Sequence, residues 1–188
     1  GKLCGHATLA SGHVLMQGDT IRFRTRHAGV LTVTREGEGY ALSLPAWGME
    51  PRPLPHLAEG LGGAPVESFW REGGYSLFLF PEEAAVRALT PDFAALKRHG
   101  DVMLIATAPG TETDIVSRVF VRGGVDEDPV TGSAHCLLTA FWADQLGRED
   151  FSAYQASARG GYLGCRIDGD RAVLTGQCRT VIEGRFLL

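Results

Sequence analysis

The chain has 188 residues, 44% of them hydrophobic, with a formal net charge of -4, a length that fits one or two domains around a real core. Its Lys and Arg are dispersed and form no basic stripe, which argues against nucleic acid, and no run approaches the ~18–20 apolar residues of a membrane-spanning helix. The four cysteines, Cys4, Cys136, Cys165 and Cys178, form no C-x-x-C pair and read as reduced residues of a cytoplasmic protein rather than a disulfide or metal framework.

In chain order, apolar residues Ala7, Leu9, Ala10, Val14 and Leu15 recur at helical spacing and predict a helix over 5–17, with Gly18 just past its end. Strands follow at 21–26, 30–35 and 39–44, broken by His27-Ala28-Gly29 and Glu36-Gly37-Glu38, which is hairpin chemistry. The stretch 45–55 carries Pro45, Pro51, Pro53 and Pro55. That density predicts no regular element and reads as an interdomain linker. Beyond it come a short helix at 57–61, strands at 66–71 and 75–80, helical pieces over 81–89 and 92–98, a buried strand at 102–108 and an alternating strand at 114–121. The longest helix is predicted over 132–146, stopped by Gly147. Four strands close the chain, at 153–158, 162–167, 172–176 and 178–183.

The segment Glu127-Asp128-Pro129-Val130-Thr131-Gly132-Ser133-Ala134-His135-Cys136 places an acid pair, a proline, a turn glycine and hydroxyls directly before the longest helix. Such a helix start offers unpartnered backbone N–H groups and the positive end of a dipole to a small anion. Leu3-Cys4-Gly5-His6-Ala7-Thr8-Leu9 has the same shape. Gly5 matches Gly132 and Ala7 matches Ala134; downstream, Gly29, Leu31, Gly37 and Leu42 recur at one constant spacing as Gly161, Leu163, Gly169 and Leu174. These matches, with the matching order of elements, predict an internal duplication. The second half has a long stretch between linker and motif, whereas the first has four residues before its motif glycine. The reading therefore expects a further sheet-forming segment upstream of Gly1.

Two helices related by a pseudo-twofold axis would aim their starts at one cleft. Backbone N–H groups at Gly5 and Gly132 would grip a carboxylate or steady an enolate-like charge. His6 would shuttle protons near neutral pH, Ser133 would hydrogen-bond a substrate carboxylate, and Asp128 would act as an acid or orient His6. Each has a plainer alternative: Ser133 or Thr131 as an N-cap, Asp128 as a complement to the helix dipole, His6 as a structural histidine. His13 and His135 fall inside the helices and read as packing residues. Cys4 lies beside a helix start, but its counterpart is Thr131, so no thiol pair is available. Ser133 lies in Thr-Gly-Ser-Ala-His, not G-x-S-x-G, so a serine hydrolase is a distant alternative. No P-loop, H-E-x-x-H or G-x-G-x-x-G is present.

The strings 3–10, Ala108-Pro109-Gly110, 114–118, 127–136 and 153–161 resemble the phenazine-biosynthesis PhzF-like family, relatives of diaminopimelate epimerase. The resemblance implies an α/β fold of mixed sheets in two pseudo-symmetric domains, each a curved sheet around a central helix, the first incomplete here. The implied division is 1–46 for the remnant of the first domain, 47–56 for the linker and 57–188 for the second domain, whose last strand could return to the first. It further implies an isomerase or epimerase that shifts a proton on a small carboxylic acid in an interdomain cleft, without cofactor or metal, usually as a homodimer. His6, Asp128 and Ser133 are the implied active-site residues; Gly5, Gly132 and Thr131 are expected to bind substrate. The family's main acid/base glutamate precedes the Cys-Gly-His motif, in a segment outside this chain. The alternative is therefore a non-catalytic remnant that binds a small anion or a partner.

Overall fold

The computed structural model describes residues 3–121 and 126–185. Among the described residues, eleven strands form one mixed sheet in the order β1-β2-β3-β11-β10-β9-β8-β7-β6-β5-β4. They are β1 (Thr20–Arg24), β2 (Val30–Glu36), β3 (Gly39–Pro45), β4 (Glu50–Pro51), β5 (Glu67–Arg71), β6 (Tyr75–Leu79), β7 (Met103–Pro109), β8 (Ile115–Phe120), β9 (Asp150–Gln155), β10 (Gly161–Asp168) and β11 (Arg171–Gly176). The pairs β6–β7 and β8–β9 are parallel and the rest antiparallel. Five helices, α1 (Gly5–Leu15), α2 (Pro55–Leu61), α3 (Glu83–Arg87), α4 (Phe93–Leu96) and α5 (Gly132–Leu146), pack on it.

Strand alternation assigns these helices to opposite faces. Ile105, Ile115, Val119, Phe151 and Ala153 point to one side and form a core with Leu137, Leu138 and Trp142 of α5. Their neighbours Leu104, Ala106, Val116 and Phe120 point to the other and pack with Leu57, Leu61, Val86, Leu89 and Leu96 from α2, α3, α4 and their flanks, as a side-chain period of two requires. Helix α1 lies on the α5 face, over Leu31, Val33 and Leu42.

The duplication is visible in the backbone. Both β2–β3 and β10–β11 turn through two residues, and the leading glycines, Gly37 and Gly169, have φ of 58° and 57°. Positive φ at that position is what a type II′ hairpin needs. The N-cap residues match as closely: Cys4 at φ -128°, ψ 96° and Thr131 at φ -120°, ψ 101°. Strands β3 and β11 pair with Leu42 opposite Leu174 and with Ala41–Thr175 and Ser43–Val173 on either side. Since Leu42 and Leu174 are equivalent positions, this register is self-complementary, and the pseudo-twofold axis passes through that pair.

Several elements differ from expectation. The Pro-rich stretch is not devoid of regular structure: Glu50 and Pro51 pair with Trp70 and Phe69 at the sheet edge, where a residue without an N–H is tolerated. No strand forms at 178–183; residues 177–185 are irregular and are tied to α1 by the His13 Nε2–Thr180 Oγ1 hydrogen bond of 2.9 Å. Strand β9 runs 150–155 rather than 153–158, because residues 156–160 form the turn into β10, with Gly160 N donating to Ser157 Oγ at 3.0 Å and Gly160 at φ 70°. The piece at 92–98 divides into α4, capped by Asp92 accepting from Ala95 N, and a 3-10 turn at Lys97–His99. Among the described residues no helix is long and apolar enough to cross a membrane.

Candidate functional site

The two helix starts meet on the pseudo-twofold axis. A Cβ on Gly5 would lie 3.3 Å from Gly132 Cα, and one on Gly132 would lie 3.2 Å from Gly5 Cα, so glycine at both positions lets the backbones approach without either helix start giving way. Neither N-cap side chain caps its helix. The first intrahelical bonds are made by Thr8 N to Cys4 O and His135 N to Thr131 O, so the N–H groups before them have no intrahelical acceptor. A cavity of about 200 Å³ opens beside this contact, walled by Gly5, His6, Leu42, Gly132, Tyr162 and Leu174 among others. A concavity of about 480 Å³ lies elsewhere, along Pro51, Pro53, Leu54, Pro55 and Pro65; it contains none of the predicted site residues.

Of the six predicted residues, Gly5, His6 and Gly132 therefore share one cavity. Asp128, Thr131 and Ser133 do not line it; they stand immediately behind Gly132. Thr131 occupies the N-cap position but does not cap the helix: its hydroxyl donates to Asp128 Oδ2 and its oxygen accepts from Gln155 Nε2 at 3.2 Å. That diversion is what leaves the first turn of α5 open. Ser133 is buried and no side-chain hydrogen bond from it is found among the described residues. His6 is exposed and makes no hydrogen bond to Asp128 among them, so the orienting contact expected between these two is not formed.

The residue that sequence reasoning missed is Gln155. It is fully buried; its Oε1 accepts from Thr131 N at 2.8 Å, and its Nε2 donates to Asp128 O at 2.6 Å and to Thr131 Oγ1 at 3.2 Å. Ser157 Oγ donates to Pro129 O at 2.8 Å, Asp128 N donates to Val119 O at 2.9 Å, and Arg118 forks onto both oxygens of Glu127 at 2.8 and 3.0 Å. The loop is thus fixed from β8 and β9 before any ligand arrives, which is how a site avoids ordering costs. Its signal was the Tyr-Gln-Ala-Ser string, which carried resemblance but no legible chemistry.

His135 does more than pack. Its ring is fully buried, Nδ1 donates to Thr131 O at 2.8 Å, and burial, with a smaller push from nearby His6, lowers its pKa to about 4 against the bond to Thr131. It is neutral near pH 7. Burial pushes the Cys136 and Cys165 thiols up to about 12, so both are inert core residues; Cys4 is exposed and unpaired. No group of three metal-ligating side chains occurs among the described residues.

Comparison with known proteins decides the family. The family model described as phenazine biosynthesis-like protein, PhzC-PhzF, matches residues 64–184. The chain belongs to the PhzC-PhzF family. It is 45% identical to an uncharacterized isomerase of Pseudomonas aeruginosa, over 99% of this chain and 73% of that protein. A crystal structure of a phenazine biosynthesis protein PhzF family member from Enterococcus faecalis superposes with a TM-score of 0.89 at 37% identity, covering 100% of this chain and 74% of that one. A putative phenazine biosynthesis PhzC/PhzF protein from Clostridium difficile gives 0.87 at 32% identity, covering 99% and 74%. The mixed α/β architecture expected from the resemblance is the one found.

Proposed function

We propose that the chain is the proton-shifting part of an isomerase or epimerase acting on a small carboxylate-bearing metabolite, without cofactor, in a cytoplasmic homodimer. The observation that carries this reading is the glycine-to-glycine contact of two uncapped helix starts with His6 on the cavity wall. A group that removes the proton next to a carboxylate leaves an electron pair delocalised onto its oxygens. Two sets of convergent N–H groups favour that charge without reorganising. His6 takes the proton and returns it to carbon, so the product has the atoms and oxidation state of the substrate. Ser133 contributes through its backbone N–H in the first turn of α5, and Asp128, which accepts from the Thr131 hydroxyl, holds the loop before Gly132 rather than giving up a proton. The names of relatives, uncharacterized isomerases at 45% and 39% identity, support the reaction class. The cleft lies between the repeat halves, 1–46 and 57–188.

The test is solvent-deuterium incorporation into a panel of small 2-amino and 2-hydroxy acids, followed by mass spectrometry. Exchange is expected at one carbon-bound position, falling ~10²-fold or more in His6→Gln, the range for loss of a general acid or base, and falling by a smaller factor in Asp128→Asn. A panel that shows no exchange, with both variants like the parent, sinks the reading. A second reading, a non-catalytic binder of small anions, is favoured by the absence of a His6–Asp128 contact. It predicts saturable binding of a small carboxylate with no exchange in any compound.

A further inference from the structure

Two lines of polar residues face each other under α5. On the sheet, Thr107, Ser117 and Gln155 are register partners across β7, β8 and β9, so their side chains share one face, and all three are fully buried. On the helix, Thr131, His135 and Trp142 are spaced four and seven residues apart and so fall on one stripe; all are buried. The outer members already join: Trp142 Nε1 donates to Thr107 Oγ1 at 3.0 Å, and Thr131 N donates to Gln155 Oε1 at 2.8 Å. His135 on the helix and Ser117 on the sheet hold the middle place in each line.

Their unsatisfied atoms match. His135 Nδ1 gives its proton to Thr131 O, which leaves Nε2 a bare acceptor. His135 Nε2 and Ser117 Oγ are both buried and without a hydrogen-bond partner among the described residues. One is a free acceptor and the other a free hydroxyl, and neither bonds the other directly. Such groups in a polar interior are the usual partners of an internal water.

We infer that a three-rung polar ladder fixes the height and rotation of the α5 start: Trp142 to Thr107, His135 to Ser117 through one internal water, and Thr131 to Gln155. Gln155 and His135 are thereby positioning residues for the Gly132 helix start. The ladder stands on its own geometry; only its relevance to catalysis rests on the proposed isomerase. Apolar residues at these positions would hold α5 against the sheet but would leave it free to slide or turn by fractions of an ångström. Directional bonds at three points along its length remove that freedom, and the helix start then stays in contact with Gly5.

The experiment uses the ¹⁵N-labelled chain and no substrate, so it can succeed or fail independently of the isomerase reading. Long-range ¹H–¹⁵N spectra are expected to show His135 as the Nδ1–H tautomer, with a water cross-peak at its ring that disappears in Ser117→Ala. Gln155→Leu is expected to move the amide resonances of Gly132 and Ser133, whereas Phe93→Leu on the opposite face leaves them in place. Should Gln155→Leu not fold, Gln155→Glu keeps the acceptor for Thr131 N, loses both donations, and is expected to move the same two amides. An Nε2–H tautomer, no water contact at the parent ring, or unmoved Gly132 and Ser133 amides in a folded Gln155 variant would each overturn the ladder.

Discussion

Helices α1 and α5 begin alike and end in different surroundings. Both start at an uncapped glycine, but Val14 and Leu15 of α1 are 74% and 58% exposed. Their repeat equivalents are Phe141, which packs edge-on against Phe69 at 5.0 Å, and Trp142, which is 5% exposed. The difference lies in the sheet: β5 to β8 extend past α5, whereas β1 is the sheet's end and nothing described lies beyond it. Equal sequence patterns do not give equal burial; the number of strands that flank a helix does.

The largest effect expected from this contrast is on Trp142. Trp142→Ala removes a buried indole and its bond to Thr107 and should cost ~3–5 kcal/mol in urea unfolding, whereas Leu15→Ala should lie within about 0.5 kcal/mol. Equal costs would break the comparison, because α1 would then be covered in solution.

Acid should act chiefly on the second half. The folded pKa of His135, about 4, lies below the ordinary 6.5, so the unfolded chain takes up the proton first. Its contribution is full above about pH 6.5 and is lost as pH falls toward 4, up to roughly 3 kcal/mol. His135→Asn should flatten that part of the stability–pH curve; an unchanged curve would mean that the ring's pKa is not lowered on folding.

The contact between the two helix starts comes next. Gly132→Ala or Gly5→Ala sets a methyl against backbone at 3.2–3.3 Å; relaxation by a few tenths of an ångström and the helix propensity of alanine offset much of the crowding, so the change should stay within ~1 kcal/mol and be close to equal at the two sites because the contact is reciprocal. A cost confined to Gly132→Ala would mean that α1 moves aside freely. The smallest effect concerns the bare face: Val14→Lys with Leu15→Lys should leave unfolding nearly unchanged while lowering hydrophobic-dye binding and light scattering.

Much of the local structure was legible in the chain. The bounds of α5, both glycine hairpins and the two helix starts follow from periodicity and turn chemistry, which act between near neighbours. The duplication made two distant motifs comparable, which is how Gly5, His6 and Gly132 could be grouped from the chain; all three lie beside one cavity. The roles of Thr131 and His135 were not legible: an N-cap position does not reveal where its hydroxyl turns, and a histidine inside a helix does not reveal which ring nitrogen is spent.

By itself the sequence determined where helices and hairpins begin, because glycine, proline and side-chain period fix backbone choices over a few residues. Tertiary structure alone decided that β3 pairs with β11 through Leu42 and Leu174, that Gln155 reaches back to Thr131, and that the last segment lies along α1 instead of forming a strand. Those outcomes depend on which distant surfaces remain to be covered and which buried polar atoms remain to be satisfied, and neither quantity is defined until α5 packs on the sheet.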